Sequence, residues 1–204
     1  TRRQDMSFIL DSLGLIEEMV PDLKNRLDTS KLVAAGHSMG AATAMLVSGM
    51  KLVNPMDGTE ESSDENRFKI LLMISAPGTM TLMPKEPWKG VRIPTLISTG
   101  TKDFSDVGSN KMKSPFKYEV PEALKRSFAP HHYLLIDQAD HYLGGLICRT
   151  DVLGPPQHEA LKIAAESSVV FLDAYVKNNR RALMSITFGD MEKATNGKAT
   201  LILK

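Results

Sequence analysis

The chain has 204 residues, of which 42% are hydrophobic and 24% are charged, and its formal net charge is +1. This composition is ordinary for a globular protein, and the length suits one domain or a little more. Because the basic residues are spread along the chain, we expect neither a nucleic-acid-binding surface nor a polybasic membrane patch. No apolar run approaches the roughly 18 residues that a transmembrane helix needs. Cys148 is the only cysteine, which excludes an intramolecular disulfide.

The first predicted element is a helix that ends before Pro21 and has Asp5 as a candidate N-cap. Its expected apolar face consists of residues at helical spacing: Ile9, Leu13, Ile16 and Val20. Further helices are expected over residues 41–49, 119–128 and 157–176. The expected buried face of the last one consists of Leu161, Ala164, Ala165, Ser168, Leu172 and Val176.

Four short apolar runs predict buried strands: residues 31–35, 70–75, 94–98 and 132–136. Polar and turn-rich stretches at 54–66 and 104–118 are expected to be loops. Strands that alternate with helices predict an α/β fold with a mostly parallel sheet and helices on both faces. Residues 1–180 are interpreted as the main domain, and residues 181–204 as an extension of unclear structure. In that extension, Asn196-Gly197 is typical of hairpins, and residues 199–203 are a candidate edge strand.

The most informative stretch is the motif Gly36-His-Ser38-Met-Gly40, which lies between the first predicted strand and the helix that follows. The G-x-S-x-G pattern alone is weak, because glycine and serine are common residues. A strand before it and a helix after it are the context of a nucleophile elbow, a sharp turn that presents the serine hydroxyl. We expect Gly36 and Gly40 to be required because the strand and the helix crowd both positions. Ser38 is therefore the candidate nucleophile, with the Met39 backbone N–H as a candidate oxyanion donor.

A nucleophilic serine needs a histidine base that is oriented by a carboxylate, in the chain order Ser, Asp or Glu, His. Asp103 directly follows the third strand and is the best acid, with Asp106 as the alternative. The second strand ends in Ser-Ala-Pro-Gly without a nearby carboxylate. His141 follows the fourth strand in a loop with two glycines and is the best base. Catalytic groups are expected there, because open parallel sheets place their sites at the carboxyl ends of the strands.

The other histidines are interpreted as structural. His131 and His132 begin a strand instead of ending one, and His158 opens the last helix. His37 is expected to support the elbow, since a side chain one residue from the nucleophile points elsewhere. Two carboxylates and the cysteine near the histidine loop are expected to have no chemical role: Asp137, Asp140 and Cys148. The two aspartates are expected to be solvated, although backbone amides of the loop are alternative partners. No metal-ligand spacing or nucleotide-binding motif occurs, so no metal or cofactor is expected.

The chain resembles the α/β-hydrolase superfamily. Within it, the likeness is to serine-containing relatives of dienelactone hydrolase, such as platelet-activating-factor acetylhydrolase-like and chlorophyllase-like esterases. The matching stretches are RRQDMSFILDSL, KLVAAGHSMGAAT, NRFKILLMISAP, IPTLISTGTKD, HHYLLIDQADHYLGG and VVFLDAYV. The resemblance implies a Ser38-His141-Asp103 triad that hydrolyses small carboxylic esters through an acyl-enzyme. Separately, the apolar residues of the loop 78–88 are candidates for the wall of an acyl or alcohol pocket: Met80, Leu82, Met83 and Trp88.

Only one helix and one strand precede the elbow, whereas the family has more sheet before it. By this comparison we expect the chain to be an N-terminally truncated fragment that lacks the second oxyanion donor and leaves an unpaired strand edge. Other outcomes of the same triad remain open: thioesterase, peptidase or acyltransferase activity. A non-catalytic binding protein with this fold is a further alternative.

Overall fold

The computed structural model describes residues 2–62, 65–76, 87–103, 129–148, 151 and 154–203. Several expectations lie outside these residues and concern the loop 104–118, the helix 119–128, Asp106, and the pocket candidates Met80, Leu82 and Met83. Trp88 falls within the short 3₁₀ turn Pro87–Gly90, and its side chain likewise lies outside the described part.

Within the described residues, the central sheet has five strands: β1 (Leu32–His37), β4 (Phe68–Ile74), β5 (Thr95–Lys102), β6 (His131–Asp140) and β7 (Ala199–Leu203). They lie in this order across the sheet, and the two strands between β1 and β4 in the chain form a separate hairpin. The pairings β1-β4, β4-β5 and β5-β6 are parallel, and β7 pairs antiparallel with β6. The expected α/β architecture with a mostly parallel sheet is therefore confirmed. Within the described residues, β1 pairs in this sheet with β4 alone.

Helices cover both faces of this sheet. They are α1 (Arg2–Asp11), α2 (Leu13–Met19), α3 (Met39–Val47), α4 (His158–Tyr175), α5 (Arg180–Phe188) and α6 (Met191–Ala194). On one face α3 packs its Met45 and Val47 into a cluster with Met73 and Ile97 of the sheet. On the other face α4 contributes Phe171 to a second cluster. Apolar strands buried between two helical layers explain why their sequences read as continuous hydrophobic runs.

The N-terminal helical segment differs from its prediction. It is broken at Ser12, whose hydroxyl bonds the Phe8 carbonyl at 2.8 Å and so competes with the helical ladder. The helix also begins before Asp5, which is therefore not its N-cap. Ile9 and Val20 are exposed, and the side chains that reach the core cluster are instead Met6 and Leu10. The expected end before Pro21 is confirmed.

The buried face of α4 differs from the expected face by a shift of about one residue. The residues that are buried are Ala160, Ile163, Ala164, Ser167, Phe171 and Ala174. Leu161, Leu172 and Val176 are partly buried and pack against this cluster. Both sets have helical spacing, because moving every position by one residue keeps the spacing and turns the face by about 100°. Phe171, at the centre of the buried face, has no exposed surface.

Two further segments contain more structure than expected. The predicted loop 54–66 includes part of an antiparallel hairpin formed by β2 (Lys51–Val53) and β3 (Glu60–Ser62). The extension 181–204, whose structure was left unclear, ends in β7, which pairs with β6 of the central sheet, and the candidate edge strand over residues 199–203 is confirmed. Asn196 and Gly197 do not form a hairpin turn. Both have positive φ and terminate α6, with the Gly197 N–H bonded to the Glu192 carbonyl at 2.7 Å. Among the described helices, none has the length and apolarity to cross a membrane.

Candidate active site

The Gly-His-Ser-Met-Gly motif forms a sharp turn between β1 and α3. Ser38 has φ 54° and ψ −122°, a sparsely populated backbone conformation for a residue with a side chain. Its N–H bonds the Ile74 carbonyl of β4 at 3.1 Å, and its carbonyl accepts the Ala42 N–H at 3.2 Å. The turn is therefore held by the neighbouring strand on one side and by the first turn of α3 on the other. This is the strand-turn-helix context that a nucleophile elbow requires.

The two motif glycines have different surroundings, which corrects the expectation that both are crowded. A Cβ on Gly36 would lie 2.2 Å from the Gly40 carbonyl carbon and 2.5 Å from the Ala41 nitrogen. A Cβ on Gly40 would meet no atom within 4 Å. The close approach of strand to helix therefore forbids a side chain at Gly36 only.

The structure brings together the three side chains that were expected to converge. Asp103 directly follows β5, and His141 directly follows β6, which is the neighbour of β5 in the sheet. His141 Nδ1 lies 2.8 Å from Asp103 Oδ1, and His141 Nε2 lies 2.9 Å from Ser38 Oγ. The carboxyl ends of three parallel strands thus meet at one edge of the sheet, where ligand sites of such sheets are found.

The protonation pattern of this chain of hydrogen bonds follows from the acid. Burial by itself raises the pKa of the Asp103 carboxyl, but hydrogen bonds from His141, Thr99 and Ser75 outweigh it, and the pKa is lowered. An ionised carboxylate only accepts hydrogen bonds, so Nδ1 of His141 carries the proton and donates it. In the neutral imidazole Nε2 is then a lone-pair acceptor, and the Ser38 hydroxyl donates to it. That is the tautomer in which His141 can take the proton of Ser38.

One hydroxyl donor to Asp103 was missed by the sequence analysis. The Thr99 hydroxyl donates to Asp103 Oδ2 at 2.7 Å. Thr99 stands four residues before the acid, which is a weak local signal. Ser75, which directly follows β4, also helps to lower the pKa of this carboxyl, and the parallel alignment of β4 with β5 brings it to this edge.

The histidine loop is held from two sides. His37 Nε2–H donates to the backbone carbonyl of His141 at 2.7 Å, and the two rings lie 4.9 Å apart. Burial is the chief reason that the pKa of His37 is lowered, which favours its neutral form. On the other side the Asp140 carboxylate accepts the N–H groups of Tyr142 and Gly144 at 2.9 and 3.0 Å. The alternative role considered for Asp140 therefore holds, and His37 supports the loop of the candidate base.

Of the remaining candidates, Met39 lies at this edge beside Ser38, and the others lie apart from the hydrogen-bonded chain. Met39 is the first residue of α3, so its backbone N–H is one of the amides that a helix leaves without an intrahelical acceptor. Its side chain is half-exposed beside Ser38. His131 and His132 are buried at the opposite, amino-terminal end of β6, as expected for structural residues. Other side chains without a role at this edge are those of His158 and Cys148, which are exposed.

No protein-family model matches the chain, and no curated protein matches it. Within the ranges that the structure describes, no three histidine, cysteine or carboxylate residues form a group able to hold a metal ion. The chemistry of the site is therefore inferred from the hydrogen-bonded side chains at the edge of the sheet.

Proposed function

We propose that the chain is a serine hydrolase of the α/β-hydrolase type that cleaves carboxylic esters. The observation that carries this proposal is the continuous hydrogen-bonded chain from Ser38 through His141 to Asp103, with the serine on a strained turn. Such an arrangement is the general means of activating a serine for nucleophilic attack. Structural serine-histidine contacts are common, but they do not require a buried ionised carboxylate on the far side of the ring.

In the first half of the proposed reaction, Ser38 Oγ attacks the ester carbonyl carbon and its proton passes to His141 Nε2. Asp103 holds the ring in the required tautomer and stabilises the imidazolium that forms. Collapse of the tetrahedral intermediate breaks the bond to the alkoxide leaving group, which takes the proton from Nε2. The alcohol departs and the acyl group remains on Ser38 as an ester.

In the second half, a water molecule takes the place of the alcohol. His141 Nε2 accepts a proton from this water as its oxygen attacks the acyl carbon, and then returns the proton to Ser38 Oγ. The products are a carboxylic acid and the regenerated hydroxyl. No redox step is involved, and the atoms balance with one water consumed per ester.

The oxyanion of each tetrahedral intermediate is assigned to the Met39 N–H, which lies at the amino end of α3 where the helix dipole favours negative charge. One such donor contributes about 3–4 kcal/mol to transition-state stabilisation. The half-exposed Met39 side chain adds an apolar surface beside the nucleophile, suited to the hydrocarbon part of an ester.

A fluorophosphonate probe tests the proposal because it reacts covalently with activated serines. We expect the wild-type protein to be labelled at Ser38 and the Ser38→Ala variant to remain unlabelled. Ser48→Ala is a matched control, since Ser48 is a buried serine just beyond the carboxyl end of α3. An unlabelled wild type, or equal labelling of Ser38→Ala, would contradict the proposal. Turnover of p-nitrophenyl acetate compared with a thioester and an amide then defines the preferred acyl donor.

A further inference from the structure

We propose that Thr99 is a positioning residue whose hydroxyl group holds the Asp103 carboxylate in the orientation in which it serves His141. This inference rests on the proposed hydrolase function and assigns a role to a residue that the proposed reaction steps do not use. It predicts that the orientation of the acid depends on β5 and not on the turn after β5 alone.

The geometry around the carboxylate divides the donors between its two oxygens. Oδ1 accepts from His141 Nδ1 at 2.8 Å, and Oδ2 accepts from the Thr99 hydroxyl at 2.7 Å. A carboxylate with only one fixed oxygen can rotate about its Cβ–Cγ bond. With a short bond to each oxygen, the plane of the Asp103 carboxylate is fixed relative to the imidazole ring. Thr99 can do this because it lies on β5 itself and is buried.

The energetic need for this donor follows from burial. Asp103 is only 5% exposed, and a buried carboxylate is costly unless each oxygen is hydrogen-bonded. Hydrogen bonds to a charged group are stronger than those between neutral groups. The Thr99 hydroxyl therefore stabilises the ionised carboxyl and aligns it at once. A carboxylate lacking this bond would still be near His141 but less well aligned with Nδ1.

Kinetics of p-nitrophenyl acetate hydrolysis test this role. Thr99→Val keeps the side-chain shape and removes the hydroxyl, and we expect about a tenfold fall in kcat with KM unchanged. Thr99→Ser keeps the hydroxyl and should stay within about twofold of wild type. Ser98→Ala is the matched control: Ser98 is buried next to Thr99, but its hydroxyl bonds the Met73 carbonyl, so kcat should be unchanged.

A double-mutant cycle separates positioning from general stability. If Thr99 acts through the carboxylate, then Thr99→Val should change kcat by less than about twofold when Asp103 is already Asn. A full tenfold loss in the Asp103→Asn background overturns the inference. So does a wild-type kcat in Thr99→Val, or a Thr99→Ser variant as slow as Thr99→Val.

A spectroscopic readout keeps this test independent of activity. The proton between His141 and Asp103 should give a downfield NMR signal, identified by its loss in His141→Ala. We expect its position to change in Thr99→Val and to return to that of wild type in Thr99→Ser. An unchanged signal overturns the inference even in an inactive protein. The two proposals can also fail separately. If the wild type hydrolyses no ester and is not labelled at Ser38, but Thr99→Val still changes the signal, the proposed hydrolase function is refuted and the positioning role of the Thr99 hydroxyl stands.

Discussion

The difference between the two motif glycines leads to a quantitative prediction. The Cβ of Gly36→Ala would lie 2.2 Å from the Gly40 carbonyl carbon, 2.4 Å from its oxygen and 2.5 Å from the Ala41 nitrogen. Ordinary contacts of a Cβ are 3.4 Å or longer, so the overlap is at least 0.9 Å at each of these three atoms. All three belong to the backbone of the first turn of α3, which cannot rotate aside as a side chain can. We expect Gly36→Ala to lower the free energy of unfolding by about 3 kcal/mol or more.

Gly40→Ala is the matched control for this substitution, since it adds the same methyl group to the other glycine of the motif. A Cβ there meets nothing within 4 Å, and alanine favours a helix over glycine by up to about 1 kcal/mol. Urea denaturation of both variants measures the difference, and the rate of fluorophosphonate labelling reports the position of Ser38. Equal stabilities of Gly36→Ala and wild type, or equal losses in the two variants, would refute the steric reasoning.

Three further predictions concern other contacts of the structure. His37→Phe removes the donor to the His141 carbonyl, so labelling of Ser38 should slow by about tenfold, while His37→Gln, which keeps an N–H, should retain more of the rate. Burial lowers the pKa of His131 and of His132 to about 4, so the unfolded chain binds more protons between about pH 4 and 6.5. Stability should therefore rise with pH through this window and level off above it, by up to roughly 1.4 kcal/mol per pH unit for each histidine. Urea unfolding in His132→Gln should show a smaller pH slope, and an unchanged slope would contradict the assignment. Phe171→Ala, at a residue with no exposed surface, should cost about 3–5 kcal/mol, whereas Val169→Ala on the exposed side of α4 should cost less than about 1 kcal/mol. Similar losses for both would contradict the assigned buried face.

The sequence predicted most strongly those features whose physical cause is local. A short apolar run reads as a buried strand wherever it lies in the chain, and the parallel strands β1, β4, β5 and β6 were located to within a few residues at their starts. The Gly36-to-Gly40 motif marks a tight turn because of its own backbone requirements. The order Ser38, Asp103, His141 could be selected from the many polar residues because each directly follows a predicted strand.

Local patterns were less informative about which side of a helix turns inward. The two candidate faces of α4 differ by one residue, and both have helical spacing. In α1 the residues that pack against the core are Met6 and Leu10, both partly buried, although Ile9 is as apolar as either. What decides between them is the shape and position of the sheet against which the helix packs, and no window of sequence contains that information.

The amino-acid sequence by itself determined where the strands run and which serine, aspartate and histidine end up beside the ends of those strands. Only the tertiary structure decided how the ends are arranged in space. Because β1, β4, β5 and β6 lie side by side, His141 reaches both Ser38 and Asp103. These contacts join residues up to 103 positions apart, so they depend on strand order and register, which short-range propensity does not specify.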